Sequence, residues 1–193
     1  MRGYTTPPSN VKSLRHGRKY ERQALKDYRK AHIKFCGGVV ELNDRGLVVN
    51  PKFPYLGASV DSVVTCSKCG DGVVEIKCPY GSDTKQWRNM SPLDCAKDKG
   101  FFCDVEDNTS ILMLKPTHNY MYQIQGQMAI CEQSWTDFVV WTKKGVSFQR
   151  IESQYNFWNE NMLPFLRKFY VYGMLPEIFS DRVKRGIPLY PVS

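Results

Sequence analysis

The stretch Leu56–Pro79, LGASVDSVVTCSKCGDGVVEIKCP, decides the fold. Gly57 to Val64 reads as a strand carrying Asp61, Gly70-Asp71-Gly72 as the turn, and Val73 to Cys78 as a second strand. Alternation puts Val73, Glu75 and Lys77 on one face of that second strand, and Val74, Ile76 and Cys78 on the other. The second set is core. The first aims a carboxylate and an ammonium the same way out of an otherwise apolar strand. A solvated Glu/Lys ion pair is the plainer reading of Glu75 and Lys77 taken alone. Asp61, fourteen residues before Glu75 on the neighbouring strand, shifts it towards a site.

Upstream, Val11 to about His32 reads as a helix, with Ser9 and Asn10 as alternative N-caps. At 100° per residue Leu14, Gly17, Ala24, Leu25 and Tyr28 share an apolar arc, and Glu21 falls near its middle. An unpaired carboxylate there is costly to bury. Glu21 therefore either pairs with a neighbouring arginine or faces a metal or polar site; the second is the reading adopted. Lys12, Arg15, Arg18, Lys19, Arg22, Lys26, Arg29 and Lys30 gather on a flanking arc. Between that helix and the hairpin, Phe35 to Leu42 and Gly46 to Val49 read as two short scaffold strands around the turn Asn43 to Gly46.

Downstream, residues 80–110 mix polar turns with a short helix near Pro92 to Lys97. Thr117 to Cys131 reads as a helix capped by Thr117, with Tyr120, Ile124 and Met128 as its apolar line and Gln123 and Gln127 beside it. Of the two amides, Gln123 is the candidate for contact with a water or phosphate. Trp135–Trp141 and Val146–Ile151 read as strands joined by Lys143-Lys144-Gly145, and Ser153 to about Phe179 as helix interrupted near Pro164. The expected organisation is an irregular arm over 1–10, one domain over 11–180 and a tail over 181–193.

Charge is unevenly spread. Residues 1–34 hold ten Lys/Arg against two acids, which accounts for the whole net charge of +8. A concentrated cationic face suggests a polyanionic partner, most often nucleic acid, with Arg15, Arg18, Lys19 and Arg22 as the phosphate contacts. No apolar run is long enough to span a membrane, and the N-terminus has no apolar core of a secretory signal. Seven dispersed cysteines without secretory context point to a reducing, intracellular compartment. Cys66-Ser67-Lys68-Cys69 is a lone CxxC; a plain reduced turn is the first reading, and a structural zinc on Cys66 and Cys69 the alternative.

Hard carboxylate oxygens at Glu21, Asp61 and Glu75, joined by the backbone carbonyl of Ile76, suit Mg²⁺ or Mn²⁺. Such an ion polarises a phosphoryl oxygen and acidifies a bound water, while Lys77 can orient that water or stabilise charge on phosphorus. The pattern thus points to a metal-dependent DNA phosphodiesterase.

The stretches RHGRKYERQAL, GASVDSVV, GVVEIKCPY, YMYQIQGQMAI and WTDFVVW cover most of residues 15–141. In that order they resemble the PD-(D/E)XK nuclease superfamily, and more closely the YqaJ-type viral recombinase and phage lambda exonuclease family. The resemblance implies an α/β (α+β) fold with a restriction-endonuclease-like core, a central mixed sheet flanked by helices. It implies that Glu21, Asp61 and Glu75 bind metal, that Lys77 assists attack, and that Gln123 matches a glutamine near the active centre. It also implies an exonuclease on linear duplex DNA, in recombination or repair, among relatives that form a ring around DNA, so homo-oligomerisation is open. Val60 stands where the family usually has proline, and Ser62 where it has glycine; neither supplies a catalytic group. The chain is expected to start after the N-terminal segment with which relatives hold a 5′ phosphate. The CxxC looks like cysteine-bearing variants in eukaryotic relatives, which tilts localisation to the nucleus. The alternative is a catalytically idle DNA-binding module, or a zinc-dependent interaction module, on the same fold.

Overall fold

The computed structural model describes residues 11–82, 84–106 and 109–189. The chain runs through α1 (Lys12–Cys36), β1 (Val40–Asn43), β2 (Val48–Val49), β3 (Gly57–Ala58), β4 (Ser62–Cys66) and β5 (Gly70–Lys77). There follow α2 (Pro92–Ala96), β6 (Cys103–Val105), β7 (Leu112–Leu114), α3 (Asn119–Cys131), β8 (Trp135–Thr142) and β9 (Gly145–Glu152). The chain closes with α4 (Tyr155–Asn161), α5 (Leu163–Phe169), a π-helical turn over Tyr170–Met174, and α6 (Leu175–Ser180). A five-stranded mixed sheet in the order β1-β4-β5-β8-β9 forms the centre, antiparallel throughout except for the parallel β5–β8 pair. A parallel neighbour needs a crossover, and the chain from β5 to β8 supplies it through α3.

Both faces of the sheet are covered, so its inner strands are apolar on both sides. Ala24 and Tyr28 of α1 pack on Val64, Val74, Ile76, Val139 and Trp141. Met128 of α3 packs with Val63 and Val73, while Ile124 joins Phe138, Val140 and the β6–β7 pair on the same side of β8. Each such fully buried side chain contributes roughly 1.5–3 kcal/mol. Among the described residues no helix is long and apolar enough to cross a membrane.

Several local expectations are corrected. Helix α1 runs four residues past His32, because Gly37 adopts a left-handed φ of 66° and its N–H closes on the Ile33 carbonyl. Phe35 and Cys36 are therefore helical, and the strand expected from Phe35 is only Val40–Asn43. Its N-cap position is Val11, without a side-chain cap bond; Ser9, Asn10 and the rest of the expected arm lie outside the described residues. The buried stripe of α1 is His16, Ala24, Tyr28 and His32, whereas Leu14 is 45% exposed. The segment after Asn43 does not return as a hairpin: β1 pairs with β4, and β2 pairs with β3.

The strand expected over Gly57–Val64 is two strands broken at Ser59–Asp61. The hairpin turn is Ser67–Cys69 rather than Gly70–Gly72, since Cys66 pairs directly with Gly70 and Gly70 takes a φ of 76°. A three-residue loop followed by a left-handed glycine is a common hairpin closure. Helix α3 begins at Asn119, capped by the His118 ring, which accepts the Tyr120 N–H at 3.2 Å; Thr117 lies outside it. The C-terminal helix breaks at Met162, two residues before Pro164.

Candidate active site

Pairing of β4 with β5 stops at Ser62↔Val74. Alternate residues of a strand present both N–H and C=O to the same edge, so Ile76 follows Val74 on the edge that faces β4. There is no strand residue left to pair with it. Instead Asp61, at the bend entering β4, accepts the Ile76 N–H through Oδ2 at 2.6 Å. The Ile76 carbonyl lies on that same edge, beside the Asp61 carboxylate.

On the opposite face of β5 from α1, Glu75 is 4% exposed. A bare carboxylate at such a depth would cost several kcal/mol. The surroundings supply the partners. Lys77 Nζ donates to Glu75 Oε1 at 2.6 Å, Gln123 Nε2 donates to the same oxygen at 2.7 Å, and Gln127 Nε2 donates to Oε2 at 2.8 Å. Lys77 Nζ also reaches Gln123 Oε1 at 3.1 Å and sits 4.2 Å from the centre of the Tyr120 ring. The same Gln127 Nε2 also donates to the Ser59 carbonyl, at 2.9 Å.

Glu21 lines a cleft of about 520 Å³ together with Gly17, Arg18, Ile76, Lys77 and Tyr120. It is half-buried, and among the described residues no hydrogen bond or ion pair occupies it. The arginine pairing that would have explained it away is absent among those residues. Burial, then Glu75, then Glu21 push the Asp61 carboxyl up to about 7, against the lowering effect of the Ile76 N–H. Cys78 feels the same crowding: burial, Asp61 and Glu21 raise its thiol to about 12. The cluster thus carries more negative charge than Lys77 neutralises, which fits a site for a divalent cation.

The structure therefore brings Glu21, Asp61, Glu75, Lys77, Gln123 and the Ile76 backbone together. Arg15, Arg18, Lys19 and Arg22 lie exposed on α1, with Arg18 lining the cleft beside Glu21. Cys66 and Cys69 are elsewhere, at the turn of the hairpin, with free thiols. Gln127 and Tyr120 were missed as site residues. The signal for Gln127 was its spacing: four residues after Gln123, it shares that helix face.

A family model described as the YqaJ-like viral recombinase domain matches residues 2–137. The chain belongs to that family. Among solved structures, the YqaJ-like domain is similar to an alkaline exonuclease from Laribacter hongkongensis, LHK-Exo. Its complex with dAMP aligns at a TM-score of 0.57 and 24% identity, over 90% of this chain and 73% of that one. A second structure of the exonuclease aligns at 0.57 and 22% identity, over 91% and 74%. At these identities the likeness shows a shared fold. No curated protein sequence is a significant match.

Proposed function

We propose that this YqaJ-like domain is a metal-dependent deoxyribonuclease, an exonuclease acting on linear duplex DNA in recombination or repair. The observation that carries the reading is the convergence of Glu21, Asp61 and Glu75 with Lys77 at the unpaired end of β5. LHK-Exo, named as an alkaline exonuclease, supports it as a relative in fold.

Asp61, Glu75, Glu21 and the Ile76 carbonyl would hold Mg²⁺ or Mn²⁺. When bound, the ion supplies Lewis-acid polarisation of a phosphoryl oxygen and a more acidic water. The chain's own residues do the rest. The Ile76 N–H fixes one Asp61 oxygen, and Gln123 and Gln127 fix both Glu75 oxygens, so the acids are preorganised rather than mobile. Glu75, Gln123 and the Tyr120 ring aim the Lys77 ammonium, which stabilises charge developing on phosphorus or orients the attacking water. Arg15, Arg18, Lys19 and Arg22 bind backbone phosphates without reading sequence.

The test is digestion of end-labelled linear duplex with and without Mg²⁺, with circular duplex as the control for end dependence. Wild type is expected to digest the linear form only, and Glu75→Gln and Lys77→Ala to lose activity. Equal digestion by all three proteins would overturn the assignment. Salt-dependent duplex binding with no Mg²⁺-dependent cleavage would favour a DNA-binding module instead.

A further inference from the structure

At the far end of the β4–β5 hairpin, His32, Cys36, Cys66 and Cys69 place their candidate ligand atoms all within 4.8 Å of one another. The four come from three segments: one turn of α1, the end of β4, and the loop before β5. Cys36 and Cys66 Sγ are 3.6 Å apart. That is well beyond the roughly 2.05 Å of a sulfur–sulfur bond. It is close to the edge of about 3.8 Å set by a tetrahedron with Zn–S bonds of about 2.3 Å.

The histidine provides a second, independent observation. His32 is 0% exposed. Its Nδ1 lies 2.8 Å from the Tyr28 hydroxyl and 3.1 Å from Asp137 Oδ2. Its Nε2, buried, has no hydrogen-bond partner among the described residues. An imidazole whose Nδ1 is held by a carboxylate while Nε2 is left bare is oriented as a metal ligand. Asp137 is itself fixed by the Arg150 guanidinium at 2.9 and 3.0 Å and by the Tyr28 hydroxyl at 2.7 Å. The sulfurs receive backbone donors too: the Gly38 N–H reaches Cys36 Sγ at 3.2 Å, and the Cys69 N–H reaches Cys66 Sγ at 3.4 Å.

We propose that His32, Cys36, Cys66 and Cys69 bind one zinc ion, a closed structural centre that clips the end of α1 to the turn of the β4–β5 hairpin. Three thiolates and one neutral imidazole are a soft, four-coordinate set suited to zinc and leave no position for substrate. Ligand atoms this close surround a single ion; a multi-iron cluster spreads its ligands over several metal atoms. Asp137 is a positioning residue that sets the tautomer and orientation of His32. The proposal takes the zinc alternative at Cys66 and Cys69 in place of the plain reduced turn, and it stands independently of the nuclease assignment.

The experiment counts metal in the full chain purified without chelator, by plasma mass spectrometry. It then replaces the ion with CoCl₂ and records the visible spectrum. One zinc per chain is expected, with cobalt giving the thiolate charge-transfer and tetrahedral d–d bands of a three-sulfur site. Cys66→Ser and Cys69→Ser should lose the zinc, whereas Cys131→Ser and Glu75→Gln should keep it. Asp137→Asn should retain a cobalt spectrum but release zinc to a chelator roughly 10–100-fold more readily. Zinc far below one per chain together with no cobalt charge-transfer band would overturn the proposal, as would a Cys36–Cys66 disulfide in freshly purified protein. The wild-type measurements decide the matter even if a variant fails to fold. Zinc retention in Glu75→Gln separates failure of this centre from failure of the active site.

Discussion

At one end of the β4–β5 hairpin stand Asp61, Glu75 and Lys77; at the other stand Cys66 and Cys69. The ends are five residues of β4 apart, about 16 Å at roughly 3.3 Å per residue. Helix α1 serves both. Glu21 reaches the first end and His32 the second, eleven residues on, which is again about 16 Å at 1.5 Å per residue. The carboxylate end opens on a cleft and has hard oxygens crowded enough to hold a proton on Asp61. The sulfur end sets a fully buried imidazole beside one buried and two half-buried thiols, with backbone donors on Cys36 and Cys66. The same two elements thus carry a charge-crowded carboxylate cluster beside a cleft at one end and a sulfur-rich cluster around a buried imidazole at the other. A helix held at its far end by the proposed zinc can present one acid that, among the described residues, has no hydrogen-bond partner, which is what Glu21 does.

The sharpest way to break the comparison is to disable each end separately. Glu75→Gln should lower Mg²⁺-dependent digestion by about 10³-fold or more while zinc content is unchanged. Cys66→Ser should do the converse: loss of zinc and of several kcal/mol of stability, read as a lower urea midpoint, with digestion lost only in proportion to unfolding. Lys77→Ala comes next, with an expected loss of about 10²-fold in rate and little change in duplex affinity. Gln127→Ala leaves Glu75 Oε2 without its donor. It should cost about 1–3 kcal/mol of stability by denaturant titration and roughly 10-fold in activity.

The smallest effect concerns pH. The folded Asp61 carboxyl titrates near 7, above its value in the unfolded chain. Between about pH 4 and 7 the folded protein therefore holds a proton that the unfolded chain has released. Stability without divalent metal should fall as pH rises through that window, and should level off above it. Mg²⁺ should flatten the slope, and so should Asp61→Asn, as read from urea midpoints across the range.

What was legible in the sequence was whatever local spacing encodes. The Asp61 and Glu75-Ile76-Lys77 hairpin, the amphipathic α1 with Glu21 and the glutamine-bearing α3 all follow from periods of two or 3.6 residues. Where the reading failed, the deciding contact was distant or the terminating signal was misassigned. Gly37 ends α1, but the apolar run from Phe35 to Leu42 places Gly37-Gly38 inside a strand, which leaves Cys36 out of the helix. With that helix four residues longer, His32 and Cys36 would have stood one turn apart on a single face. Their meeting with Cys66 and Cys69, some thirty residues on, depends on how α1 crosses the hairpin turn, which no local period records. Gln127 was visible beside Gln123 but acquires its role only because Glu75 is buried beneath it.

The bond from the Ile76 N–H to Asp61 makes the candidate site a matter of arithmetic in strand pairing. Continued past Ser62↔Val74 the register would set Val60 opposite Ile76, and the Asp61 carboxylate takes that pairing place, counted off from Cys66↔Gly70 at the turn. Adding or removing one residue in the loop Ser67–Cys69 would shift that count and carry Asp61 to the other side of the pleat, with every side chain of the site chemically intact. Length in this loop is therefore as much a parameter of the candidate site as the identity of the acids.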